Sequence, residues 1–189
     1  MRVVLISANT EQVNMPVLPI GMARVAAAVE KAGHEVRILN LMRPEHVSHS
    51  LQDALHGFQP HVMGISVRNI DDQYRESPRF LLPPVKQLVR ECRRLSRAPL
   101  VLGGPGYSIF PEAVLEYLQA DYGIHGEGEH AFPLLLDRLD RGLSPSDVHG
   151  LLSPGEGAKG QPQRIRDLDA YPLPEPEKHL YIPTDENRE

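Results

Sequence analysis

Pro84 to Gly106 runs PVKQLVRECRRLSRAPLVLGGPG. Val85, Leu88, Val89, Cys92 and Leu95 recur at helical spacing, while Lys86, Arg90, Arg93 and Arg94 take the opposite face. A helix over Pro84 to Leu95 therefore has one side made for a core. Leu100-Val101-Leu102 follows, apolar at every position, as in a strand covered on both faces. Gly103, Gly104 and Gly106 end it in a turn bare of side chains. A helix leading into a doubly buried strand is the repeating half-unit of a parallel α/β sheet.

The same alternation continues in both directions. Upstream, Val3 to Ile6, Glu35 to Met42 and His61 to Val67 read as strands, with helices over Pro19 to Lys31 and Glu45 to Phe58. Downstream, a helix from Pro111 to Leu118 begins on proline, as first turns often do. Tyr122 to His125 is a fifth strand and Ala131 to Leu139 a last helix. Five strands with helical crossovers imply an α/β fold with a doubly wound, five-stranded parallel sheet of the Rossmann or flavodoxin type, in order 2-1-3-4-5. That order opens a crevice at the carboxyl ends of the first and third strands, so functional residues should gather after the first, third and fourth strands. From Ser144 onward, glycine and proline break the periodicity. The expected division is a domain over 1–143 and a Pro/Gly-rich linker or hinge over 144–189, in which Arg164 to Leu168 could add an edge segment.

Composition removes several classes. Twenty basic against 25 acidic residues give a net charge of −5, the wrong balance for a nucleic-acid binder. No apolar run approaches the ~20 residues of a membrane-spanning helix, and Met1 to Ile6 does not resemble a signal peptide, so the expected address is the cytoplasm. The single cysteine, Cys92, lies on an apolar helix face and cannot alone hold zinc or an iron–sulfur cluster. His125 and His130 flank the last loop, but no third ligand converges on them, and no metal-ligating residue is assigned.

The strand ends carry the chemistry. The first loop, Ala8 to Leu18 (ANTEQVNMPVL), is longer than most βα connections, as functional loops often are. The third strand ends in Gly64-Ile65-Ser66-Val67-Arg68-Asn69; Ser66 either caps a turn or offers a hydrogen bond to the crevice. Gly103 to Gly106 leaves a flat, accessible backbone for a phosphate or a planar ring, although it lacks the spacing and position of a dinucleotide fingerprint. Glu127 and Glu129 either pair for acid–base work or open the last helix, where acidic residues favour the dipole.

Four stretches together resemble the cobalamin-binding domain at the front of cobalamin-dependent radical S-adenosylmethionine enzymes. They are PVLPIGMARVAAA (16–28), GISVRNIDDQ (64–73), VLGGPGYSIFPE (101–112) and GIHGEGEHAFP (123–133). DLDAYPLP (167–174) is similar to the hinge before the radical domain. The resemblance implies a corrin ring across the carboxyl edge of the sheet. The nucleotide arm would be detached from cobalt and inserted between sheet and helices, with Ser66 against its base and Gly103 and Gly104 making room. The implied cofactor-binding set is Asn9, Gln12, Asn14, Met15 and Leu18 in the first loop; Gly64, Ser66, Val67, Arg68 and Asn69 after the third strand; Gly103, Gly104, Pro105, Gly106 and Tyr107 after the fourth; and Gly126, Glu127 and Gly128 after the fifth. No catalytic residue is implied.

Two departures sharpen the expectation. Many cobalamin modules ligate cobalt with a histidine from an Asp-x-His-x-x-Gly motif after the first strand, and Ala8 to Leu18 contains no histidine. A histidine-off state follows, with water or a weak ligand such as Gln12, Asn14 or Met15. The CxxxCxxC motif of the radical domain is also absent. The [4Fe–4S] cluster and S-adenosylmethionine are therefore expected in a radical domain elsewhere, in cis, or in trans if the chain is a stand-alone carrier. The resemblance implies methyl transfer as the parent chemistry. Two other readings compete: a flavodoxin-like module for a nucleotide or flavin, and a hydrolase or transferase using Glu127, Glu129 or Asp71.

Overall fold

The computed structural model describes residues 1–9, 18–42, 47–72, 74–159, 161–162 and 164–179. Its elements in chain order are β1 (Arg2–Ser7), α1 (Ile20–Lys31), β2 (Glu35–Asn40), α2 (Val47–Leu55), β3 (Val62–Ser66), α3 (Leu82–Leu95), β4 (Leu100–Gly103), α4 (Pro111–Leu118), β5 (Tyr122–Ile124), α5 (Gly128–Asp140), β6 (Leu151–Ser153), β7 (Gly157–Lys159) and α6 (Pro176–His179), with a 3-10 turn at Tyr107–Ile109.

The first five strands are parallel and lie in the order β2-β1-β3-β4-β5, as the alternation implied. The uniformly apolar strands make sense once both faces are seen. In β1, Val3 and Leu5 point into one core layer and Val4 and Ile6 into the other. The first layer is covered by α1 and α5, and the second by α2, α3 and α4. Cys92 sits fully buried in α3, and desolvation pushes its thiol up to about 12, so it behaves as a small apolar residue.

The sheet has seven strands rather than five. β6 pairs antiparallel with β5, and β7 with β6. Val148, Leu151 and Leu152 are buried, and Arg138 of α5 reaches Asp147 at 2.7 Å. The added strands hold only three residues each, and Gly150, Gly155 and Gly157, all at positive φ, shape the turns around them. Such short pieces carry too little periodicity to be read as strands. Arg164 to Leu168, the segment expected at the edge, lies outside the sheet. Among the described residues no helix is long and apolar enough to cross a membrane.

Candidate functional site

A groove of about 470 Å³ opens where the winding reverses, between the carboxyl ends of β1, β3 and β4 and the first turns of α1 and α5. Leu5 and Ser7 of β1, Gly64 and Ser66 of β3, and Val101 and Gly103 of β4 form its floor. Gly21, Met22 and Val25 of α1 face Gly128, Glu129 and Phe132 of α5 as its walls. Asn9, Arg68, Gly104, Pro105, Gly126 and Glu127 stand at the rim. The floor follows from register. Ser7 pairs with Ser66, and Ser66 with Gly103, so these three occupy one row at the top of a single face. The row below, Leu5–Gly64–Val101, is apolar.

The glycines have distinct reasons to be there. A Cβ on Gly103 would project into open space, with no atom within 4 Å. Gly103 widens the groove at its floor, and Gly21, whose Cβ would also meet nothing within 4 Å, widens it at the α1 wall. Gly104, at φ +98°, lies so close to β3 that a Cβ would come within 2.7 Å of the Val67 carbonyl and 3.0 Å of Ser66 Oγ. Gly106 presses on the backbone of Arg68 and Asn69, at 2.8 Å from a Cβ position. Gly64 lies under Leu5 and Phe132. Close packing of the β3 and β4 exits, rather than room for a ligand, thus requires Gly104 and Gly106.

Asn9, Gly64, Ser66, Arg68, Gly103, Gly104, Pro105, Gly126, Glu127 and Gly128 from the expected set converge on the groove. Others do not. Tyr107 is wholly buried in the opposite layer, its hydroxyl wedged against Gly123 without a hydrogen-bond partner; burial raises its pKa. Val67 is buried on that face too, and its carbonyl accepts the Gly106 N–H at 3.0 Å. Asn69 lines a small neighbouring cleft, and Leu18 and Gly106 lie outside the groove lining. Gln12, Asn14 and Met15 fall outside the described residues. Sequence reading missed Ser7, Gly21, Met22, Val25 and Phe132. Strand register marks Ser7, and a glycine in the first turn of a helix marks Gly21.

The two glutamates separate in role. Glu129 lies in the first turn of α5 and pairs with Arg24 of α1 at 3.3 Å. Glu127 is the N-cap residue, and its carboxylate accepts the Ile165 N–H. Each has a structural partner, so they open a helix rather than form an acid–base couple. Ser108 Oγ accepts the Gly126 N–H at 3.1 Å and ties the two rim loops together. His130 meets Tyr171 at 3.2 Å, and no group of three metal-ligating side chains forms among the described residues.

Residues 6–136 match the family model of the B12 binding domain. The chain belongs to the B12-binding domain family. This B12-binding domain is 32% identical over 147 residues to tryptophan 2-C-methyltransferase of Streptomyces laurentii, covering 76% of this chain and 24% of that protein. It is 28% identical over 150 residues to cytidylyl-2-hydroxyethylphosphonate methyltransferase of Streptomyces wedmorensis, covering 70% of the chain and 27% of the relative. Among solved structures, the radical S-adenosylmethionine methyltransferase TsrM from Kitasatospora setae, with cobalamin and a [4Fe–4S] cluster bound, superposes with a TM-score of 0.77 at 30% identity. That likeness covers 83% of this chain and 29% of TsrM. The B12-binding domain thus spans about a quarter of the length of the curated relatives it matches.

Proposed function

We propose that this B12-binding domain serves a cobalamin-dependent radical S-adenosylmethionine methyltransferase, and that it holds cobalamin with the nucleotide arm detached from cobalt and laid in the groove. The observation that carries the reading is Gly103, whose missing Cβ leaves an open floor beside Ser66. The volume falls within the roughly 300–1,000 Å³ of small-ligand sites, and the chain's own side chains do not fill it. An apolar floor ending in hydroxyls suits a planar base that carries one acceptor nitrogen.

Each part of the groove has a task. Met22, Val25 and Phe132 exclude water from the faces of the base. Ser66 hydrogen-bonds its edge. The rim at Asn9, Arg68 and Pro105 faces the corrin. No histidine is available between Ala8 and Leu18, so this loop offers cobalt no imidazole. Cobalamin, when bound, would supply a cobalt centre able to carry a methyl group, and withholding a protein imidazole from it would alter how readily that group is given up. The cluster and S-adenosylmethionine belong to a further domain, because buried Cys92 is not a cluster ligand.

The test is a titration with hydroxocobalamin under mild reduction, followed by gel filtration and a visible spectrum. Retained corrin absorption with the signature of a detached base is expected. A flow-through free of corrin sinks cobalamin binding itself. Retained corrin with its base still on cobalt removes the arm from the groove. Flavin absorption in the purified protein would favour a flavin module instead. Absorbance is the proper probe, since the chain has no tryptophan.

A further inference from the structure

The polar row at the groove floor does not stop at Ser7. Strand register pairs Ser7 with Asn40, the last residue of β2, so the row reads Asn40–Ser7–Ser66–Gly103 across four adjacent strands. Val36 and Ile38 pack in the same layer as Val3 and Leu5, which places Asn40 on the groove face as well. Neighbouring strands lie about 4.8 Å apart, so side chains one strand away are within hydrogen-bonding range of each other. Among the described residues, Ser7 is one of two buried polar ones, 5% exposed, and it lines the groove. Asn40 is odder. Both its Oδ1 and its Nδ2 are buried, and neither has a hydrogen-bond partner. Native structures rarely keep a wholly unpartnered buried amide, because losing its water is costly and nothing offsets the loss.

We infer that Ser7 extends the arm-binding floor and recognises the ribose of the nucleotide arm, with Asn40, beside it on β2 and outside the groove lining, as the positioning residue that orients the Ser7 hydroxyl once the arm is present. The inference rests on the proposed placement of the arm. Ser66 is assigned to the base, which leaves the ribose hydroxyls and the phosphate among the arm's polar atoms. A hydroxyl and a primary amide both donate and accept, and so do ribose hydroxyls. A phosphate calls for a cation, and among the described groove residues Arg68 is the only one, at the rim rather than on this row. The chemistry of the row therefore fits a sugar.

Two corrinoids separate the possibilities: cobalamin, and cobinamide, which has the same corrin but no nucleotide arm. Ser7→Ala and Asn40→Leu are each expected to weaken cobalamin binding about tenfold and to change cobinamide binding less than twofold. Asn40→Leu removes an unpartnered amide for a side chain of similar size. The ligand-free variant should therefore melt no lower than wild type, and up to about 2–4 °C higher. A structural asparagine would lower that midpoint. Equal losses for both corrinoids, no loss for either, or a lower ligand-free midpoint in Asn40→Leu overturns the inference while leaving cobalamin binding in place. Failure of the wild-type chain to retain cobalamin overturns the proposed function, and this inference with it.

Discussion

Gly103 and Gly104 are neighbours with opposite reasons to lack a side chain. Gly103 keeps the groove open, and Gly104 keeps β4 against β3. A valine at each site tells them apart. Gly103→Val should leave the ligand-free melting midpoint nearly unchanged, since its side chain enters open space, yet lower cobalamin retention at least tenfold. Gly104→Val should unfold at lower temperature before any ligand is added, because it joins a positive φ to a clash with the Val67 carbonyl. Thermal melts with and without hydroxocobalamin check both. A Gly103→Val protein that binds normally would place the arm elsewhere. Composition could not make this distinction: the two residues read alike in Gly-Gly, and only the path of the backbone separates them.

At the scale of elements, the long periodic pieces were legible and the short ones were not. α3 shows its apolar stripe over fourteen residues, and β1, β3 and β4 announce themselves as apolar runs. β6 and β7 hold three residues each, and their pairing is antiparallel, so neither length nor pattern marks them within a glycine-rich stretch. The groove was legible as a place, through strand order. Its walls were not, because Met22, Val25 and Phe132 look like any core residues until two helices face each other. One tether of the extra strands is electrostatic. The Arg138 guanidinium hydrogen-bonds Asp147 and holds its carboxyl below the usual carboxylate value of 3.8. A folded pKa below the unfolded one contributes stability that is complete above pH 3.8 and is lost as pH falls through the depressed value. Arg138→Met should flatten that acid limb without moving the midpoint's response to cobalamin. Melting curves from about pH 2 to 5 measure it, and an unchanged acid limb in the variant would remove Arg138 as the cause.

For the molecule as a whole, two apolar layers on a seven-stranded sheet supply a rigid frame, and the groove is where that frame is left incomplete. A ligand that binds only the folded chain adds stability by mass action, about 2.7 kcal/mol at a hundredfold excess over Kd. For a chain of this size that corresponds to a rise of about 5–11 °C in the melting midpoint. Cobalamin should produce such a rise, and free dimethylbenzimidazole, which lacks the corrin, a much smaller one. Equal shifts from the two would mean that the corrin contributes nothing.

The groove walls come from α1 and α5, the first and last long helices of the segment that matches the family. Its floor needs β1, which precedes α1, together with β3 and β4, which lie between the two helices. No shorter piece of the chain can therefore present the pocket, and a half-assembled intermediate has nothing to grip. Corrinoid capture is in this sense a gauge of completed folding: the cargo is taken up last, by a vessel already closed on every other side.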